Sequence, residues 1–259
     1  MHSLIGPWEE AVTLYAKPSL FADRLRAQLS EGPNADPIRV WDVGMGIGAN
    51  ALAAIESIQA ATTPTSRVVI ESFESQLGGI QTALGVTEAF PFLSRHRDSV
   101  LDLLDRGEWF SPGGAIHWRL HEGDFFEQIA SGRFSAPDLI YYDFYTPEVF
   151  PAQWDTRAFK ALRSHCTGSS LRPTDLFTYT AATPVRVAML LAGFHVGQGP
   201  STERKTHTTQ ASTSRARLRE PLGEDWYGKF LRSTKRLPFD WDPSPENHDR
   251  VTREIRSAL

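Results

Sequence analysis

From residue 38 onward, short apolar runs alternate with longer stretches whose apolar positions recur at helical spacing, the pattern of an α/β protein. Ile38–Val43 reads as a strand, Gly44–Gly48 as a tight turn and Asn50–Ala60 as an alanine-rich helix. Arg67–Ile70 reads as a second strand, followed by Glu71-Ser72-Phe73-Glu74. Helices are expected over Leu77–Leu84 and Ala89–Leu104, a strand over Ile116–Leu120 and a helix over Phe125–Ala130. Asp138–Tyr142 is apolar enough for a buried strand, and it ends at Asp143. Thr156–His165 and Pro184–Leu191 read as helices, the second opened by its proline near the first turn, with a strand over Leu176–Thr180 between them. His195-Val196 and Thr206–Gln210 suit two late strands, joined through Gly197–Lys205 as an antiparallel edge hairpin. The whole predicts a doubly wound, mainly parallel sheet with helices on both faces.

The flanks differ in character. Val12–Tyr15 reads as a strand and Pro18–Leu29 as a helix, with Leu20, Phe21, Leu25 and Leu29 largely on one side. Glu31–Pro37 is a linker by composition. Beyond Ala211, aromatic residues such as Trp226, Tyr227, Phe230 and Trp241 are scattered among charges. This suggests an appended segment that hugs the surface, with a short helix near Trp226–Leu231 and a frayed or helical end from Glu246. The expected organisation is an N-terminal extension over 1–37, a nucleotide-type domain over 38–211 and an appended segment over 212–259.

Composition narrows the class. Apolar residues make up 41% and charged residues 22% of 259 residues, ordinary values for one large globular domain. No apolar run approaches the roughly 18 residues of a membrane span, and the first ten residues lack a signal-peptide pattern. A cytoplasmic protein is therefore expected. The one cysteine, Cys166, excludes an internal disulfide framework and a cysteine-rich zinc site. His117, His121, His195 and His207 form no metal-ligand spacing, so no metal is expected. The formal net charge of −4 does not advertise a nucleic-acid binder, although a local basic patch works on an acidic protein as well.

Asp42-Val43-Gly44-Met45-Gly46-Ile47-Gly48 stands between a strand and a helix, where glycines let the chain turn sharply and bring backbone close to a ligand. The Gly-x-Gly-x-Gly spacing differs from the Gly-x-Gly-x-x-Gly of dinucleotide sites. The turn also starts with an acid, Asp42, suited to a methionine ammonium. Together these favour S-adenosylmethionine over NAD. The second strand should end with an acid for ribose hydroxyls, either Glu71 or Glu74, and Glu74 lies 26 residues beyond Gly48. Gly123-Asp124 follows a later strand, and Asp124 can receive the adenine amino group, cap the next helix, or do both. Asp143, at the end of a core strand, is placed either to meet a substrate or to cap a loop. Trp154 can stack on a base, lip the pocket or pack a helix onto the sheet.

At these residues the sequence resembles the MnmD family and the methyltransferase half of MnmC. His2-Ser3, Gly6–Ala11, the glycine loop ending in Asn50, Ser72-Phe73-Glu74, Gly123-Asp124, Asp143-Phe144-Tyr145-Thr146-Pro147 with Pro151 and Trp154, Phe177–Ala182, Val185-Arg186 and Ala192-Gly193-Phe194 match its motifs in order. Gly199, Lys205 and Thr208-Thr209 resemble its late glycine turn and lysine. Phe150 departs from the family's asparagine, Tyr145 from its phenylalanine, and residues from Glu220 lie outside its core.

The resemblance implies a class I S-adenosylmethionine-dependent methyltransferase fold and methyl transfer to the 5-aminomethyl group of a wobble uridine in tRNA. It implies a cofactor site of Asp42, Gly44, Gly46, Gly48, Asn50, Glu74, Gly123, Asp124 and Asp143. Asp143, Tyr145 and Trp154 would form the substrate side, with Asp143 orienting the amine and accepting or relaying its proton. The partner is then a tRNA anticodon loop, whose single-stranded base can be splayed out. Arg186, Arg204 and Lys205 are candidates for phosphate contacts. The run Arg215, Arg217, Arg219 either joins them or forms a solvated helix face. No FAD glycine motif is found, so the oxidase half of the fused enzyme is not expected, and the chain is expected as a monomer or homodimer. A small-molecule methyltransferase, a non-catalytic cofactor-binding module and a nicotinamide oxidoreductase are the competing classes.

Overall fold

The structure is a computed structural model that describes residues 6–32, 34–63, 66–167, 172–202 and 207–259. The chain divides into two compact units, Met1–Asp143 and Phe144–Leu259.

The first unit opens with helix α1 (Pro7–Ala11), which runs on as a wider π turn (Val12–Ala16) and a tight 3-10 turn (Lys17–Ser19). Helix α2 (Phe21–Ser30) follows, then β1 (Ile38–Val43), α3 (Ala49–Gln59), β2 (Val68–Glu74) and α4 (Gly78–Gly85). Next come α5 (Pro91–Arg95), α6 (Arg97–Arg106), β3 (Glu108–Phe110), β4 (Ile116–Glu122), α7 (Phe125–Ala130) and β5 (Leu139–Tyr142). The strand order is β3-β4-β2-β1-β5. β4, β2, β1 and β5 are parallel, and β3 is antiparallel on the edge.

Val40, Trp41, Val43 and all four residues of β5 are fully buried, as strands covered on both faces must be. The chain leaves β1 on one side through β2 and β4, then returns to its other side at β5. Strand order therefore reverses at β1 and β5, and the crevice beyond their carboxyl ends is where ligands of open α/β sheets bind.

The second unit contains a 3-10 turn (Pro151–Trp154), α8 (Thr156–His165), β6 (Asp175–Thr178), α9 (Thr183–Leu191), β7 (His195–Gly199) and β8 (Thr208–Ser212), then α10 (Glu224–Arg232) and α11 (Pro245–Ala258). Its strands run β6-β8-β7, with both pairings antiparallel. A side chain at Gly199 would collide with Thr208, so the close approach of β7 to β8 requires a glycine there. The architecture is a mixed, mainly parallel α/β sheet with antiparallel edge strands.

Several elements differ from the sequence expectation. Val12–Tyr15 is not a strand. Ala11, Leu14, Tyr15 and Ala16 are buried together, and the segment packs as a helical turn against α3. β3 escapes a periodicity argument because it is three residues long; Trp109 pairs there with Trp118. The helix expected over Ala89–Leu104 breaks into α5 and α6 at His96, whose φ of −111° leaves the helical region. His96 Nε2 lies 2.9 Å from Glu56 Oε1, which Arg95 also reaches. β2 runs to Glu74 and β4 to Glu122, beyond the apolar runs that announced them.

The tail is firmly built into the second unit. Phe230 and, on α11, Val251 and Ile255 are buried, and α11 packs on α9. Trp226 and Tyr227 stack against Phe230, and Asp240 accepts hydrogen bonds from the Thr156 backbone and hydroxyl at the start of α8. No helix among the described residues is long and apolar enough to cross a membrane.

Candidate active site at the carboxyl ends of β1 and β5

The turn after β1 is built by glycines in backbone conformations closed to most side chains: φ is 80° at Gly44, 57° at Gly46 and 80° at Gly48. Gly44 and Met45 donate to the Phe73 carbonyl, at 3.0 and 3.2 Å, which carries the turn across the end of β2. The Gly46 amide donates to Glu74 Oε2 at 2.8 Å, and Glu74 Oε1 accepts from the Gln76 amide at 3.0 Å. Glu74 thus stands half-buried beside the glycine turn. Glu71 is occupied elsewhere: it is buried, paired with Arg119 and 2.6 Å from His121 Nε2. Of the two acids at this strand, Glu74 is the one at the carboxyl end.

Asp42 is fully buried at the end of β1. Its Oδ2 accepts from the Ser72 hydroxyl at 2.7 Å, while Oδ1 has no hydrogen-bond partner among the described residues. Burial pushes its carboxyl up to about 7; the Ser72 hydrogen bond opposes the shift, and the charges of Asp143 and Glu74 add to it. A buried carboxylate oxygen without a donor, beside a glycine turn and a strand-end acid, fits a ligand with a cationic ammonium and a ribose. S-adenosylmethionine has both. Gly123, at φ 128°, donates its amide to the Glu74 carbonyl at 2.9 Å. Asp124 Oδ1 accepts from the Glu127 amide at 2.9 Å and so caps α7.

Asp143 follows β5, its amide bonded to the Val43 carbonyl at 2.9 Å. Asn50, near the start of α3 and 6% exposed, donates from Nδ2 to Asp143 Oδ2 at 2.8 Å. One residue named for the cofactor therefore orients the residue named for the chemistry. The sequence reading missed this contact, and it missed Trp118, whose indole N–H donates to Ser72 Oγ at 2.8 Å.

Within the second unit, Tyr145 is 73% exposed and Phe150 46%, with ring centroids 5.6 Å apart. Their loop is pinned from behind. Trp154 donates from Nε1 to the Tyr145 carbonyl at 2.9 Å and Tyr179 donates its hydroxyl to the Phe144 carbonyl at 3.1 Å. Trp154 is fully buried and meets Tyr179 edge-on. Complete burial leaves its ring no face for a base, so Trp154 acts on the loop through the Tyr145 carbonyl, a correction to its place on the substrate side.

Of the basic candidates, Arg186 is corrected. Arg186 is 5% exposed and spends its guanidinium on Thr209 Oγ1 and the Thr208 carbonyl, at 3.0 and 2.7 Å; burial lowers its pKa to about 10. It holds β8 rather than a phosphate. Arg217 pairs with buried Asp175 at 2.8 Å, and Arg215 reaches the carbonyl of Leu259. Arg204, Lys205 and Thr206, and the opening His2-Ser3, lie outside the described residues. Replacing Arg217 by glutamine is expected to cost about 1–2 kcal/mol of stability, because one partner of a buried carboxylate is lost while the arginine itself is partly solvated. Denaturant melts check this, and a drop in RNA affinity without loss of stability would restore a phosphate role. Among the described residues, no group of three or more His, Cys, Asp or Glu side chains is arranged to hold a metal ion.

Residues 100–214 match a family described as S-adenosyl-L-methionine-dependent methyltransferase. The tRNA 5-methylaminomethyl-2-thiouridine biosynthesis bifunctional protein MnmC of Delftia acidovorans is 28% identical over 181 residues, covering 67% of this chain and 27% of that protein. Its namesake from Polaromonas naphthalenivorans is 28% identical over 176 residues, covering 66% of this chain and 27% of its own. The match thus spans about a quarter of those curated relatives. The crystal structure of MnmC2 from Aquifex aeolicus superposes with a TM-score of 0.66 over 100% of this chain and 78% of that one, at 20% identity, a likeness of fold. The chain is an S-adenosylmethionine-dependent methyltransferase whose sequence is similar to that of the MnmC proteins over about two thirds of its length.

Proposed function

We propose that this methyltransferase acts on a primary amine, the 5-aminomethyl group of 2-thiouridine at the wobble position of tRNA. The observation that carries the amine is Asp143, its carboxylate held by Asn50 and electrostatically coupled to Asp42, which also feels Glu74. A carboxylate at this strand end repels an acidic acceptor and attracts one that arrives as an ammonium. When bound, S-adenosylmethionine supplies an electrophilic methyl group on a sulfonium. Asp143 accepts a hydrogen bond from the acceptor amine and takes or relays its proton, which frees the nitrogen lone pair. Asn50 fixes the carboxylate so that the amine is oriented as well as attracted.

The RNA half of the proposal is supported by the names of the MnmC relatives and by the exposed rings of Tyr145 and Phe150, two and seven residues after Asp143. Exposed aromatic rings on a pinned loop suit stacking with an unpaired base. A second reading, a small-molecule amine acceptor, is favoured by the internal engagement of Arg186 and the pairing of Arg217 with buried Asp175. Incubation with methyl-labelled S-adenosylmethionine and tRNA carrying 5-aminomethyl-2-thiouridine separates the two. Label is expected in the wobble nucleoside. Transfer to small primary amines with unlabelled tRNA would establish the second reading in its place.

A further inference from the structure

Three side chains on three neighbouring strands form one buried polar chain. Asp42 on β1 stands in register with Ser72 on β2, and Ser72 in register with Leu120 on β4. Trp118, two residues before Leu120, shares its face of the sheet. Trp118 Nε1 lies 2.8 Å from Ser72 Oγ, and Ser72 Oγ lies 2.7 Å from Asp42 Oδ2. All three side chains are fully buried.

The direction of this chain is fixed by chemistry. An indole nitrogen only donates, so Ser72 Oγ is the acceptor of the first bond. That leaves the serine's one hydrogen for the second bond, and it goes to Asp42. A serine alone can rotate its hydroxyl toward any nearby carbonyl; with one of its two lone pairs held by the Trp118 N–H, its hydrogen is turned toward Asp42. Oδ2 of Asp42 is thereby held, and Oδ1, which no described residue serves, is left as the acceptor for an incoming donor.

We propose that Trp118 and Ser72 are positioning residues for the cofactor: they orient the Asp42 carboxylate so that it receives the ammonium of the methionyl half. The remainder of the structure agrees. Asp42 directly precedes Val43 and the glycine turn, and nothing else in the described residues satisfies Oδ1. An ionised Asp42 inside the sheet is costly without a cation. The Ser72 hydroxyl, the one donor on this carboxylate among the described residues, lowers that cost only in part, as the elevated pKa of the group records. The ammonium supplies the rest, which makes the relay specific to ligands that carry one.

The test compares two ligands by calorimetry. S-adenosylhomocysteine carries the ammonium; 5′-methylthioadenosine has the same adenosine and lacks the amino-acid half. Ser72→Ala is expected to weaken S-adenosylhomocysteine about tenfold or more, the usual worth of a hydrogen bond to a charged group, and to leave 5′-methylthioadenosine within about twofold. Trp118→Phe should act in the same sense and more weakly, because Ser72 keeps its hydroxyl and loses only its orientation. Ser72→Thr, which restores the hydroxyl, should recover most of the affinity. Retained 5′-methylthioadenosine binding also shows that each variant is folded. Equal losses for both ligands would reduce the relay to a packing role and overturn the proposal, as would unchanged binding of both.

Discussion

Asp143→Ala is expected to slow methyl transfer by two to four orders of magnitude, the range for removing a positioned general base, with cofactor affinity changed by less than about tenfold. The asymmetry follows from the geometry. Asp143 is anchored by its own backbone to Val43 and by its side chain to Asn50, so its loss leaves the glycine turn and the Glu74 contact in place. Asp143→Asn separates the two parts of its work. Asparagine keeps an oxygen for the Asn50 amide and for the acceptor amine, but it takes no proton. Its rate should be low at neutral pH and recover as pH rises and the amine deprotonates in solution. Single-turnover rates from pH 6 to 10, with cofactor binding measured in parallel, check both variants. An alanine variant at wild-type speed would remove Asp143 from the chemistry altogether.

The elements that position this site were legible because they are long or strongly patterned. β1 and β5 announce themselves as apolar runs ending in an acid, and α7 begins where Asp124 caps it, at 2.9 Å from Glu127 N. Val12–Tyr15 was misleading because four residues of mixed polarity fit either period, and burial of Leu14 and Tyr15 against α3 decides for the helical form. β3 was invisible for want of length. The end from Glu246, left open between frayed and helical, is the helix Pro245–Ala258; its strongly polar composition, with only Val251 and Ile255 buried, kept the sequence from deciding.

Residue type and order singled out Asp42, the glycines, Glu74 and Asp143, which the fold places at or beside the carboxyl ends of β1, β2 and β5, because a strand end constrains what stands there. Pairwise partners were not legible. Asn50 and Asp143 are 93 residues apart, and Trp118 and Ser72 are 46 apart; no local period reports such a contact. The same blindness misread the arginines. Arg186 carries a charge in every sequence-level count, yet it is spent on β8 inside the fold. Exposure cannot be read from residue type for a long side chain whose stem packs well.

Asp42→Asn is expected to make the free protein more stable at pH 8 and to weaken its hold on the cofactor. In the folded protein the Asp42 carboxyl titrates near 7, against an ordinary value of 3.8. Between those two values the folded state keeps a proton that the unfolded chain gives up. Folded protein therefore binds more protons, and the contribution of Asp42 to stability falls as pH rises from about 4 to 7. A shift of about three units corresponds to roughly 4 kcal/mol at most. Asparagine escapes that penalty, though its own buried amide without a partner costs about 1–3 kcal/mol. A net gain of about 1–3 kcal/mol at pH 8, a few degrees in Tm, should shrink toward zero as pH falls to about 4 and reverse below it, where aspartic acid becomes neutral in the unfolded chain as well. Over the same range wild-type affinity for S-adenosylhomocysteine should rise as Asp42 ionises against the ligand ammonium, and the asparagine variant should lose that rise. Melting curves of the two proteins that run parallel from pH 4 to 8 would show that Asp42 is not held proton-bound in the fold. The stability that aspartate gives up here is then the cost of keeping an acceptor ready for a cation, with Ser72 and Trp118 fixing where that acceptor points.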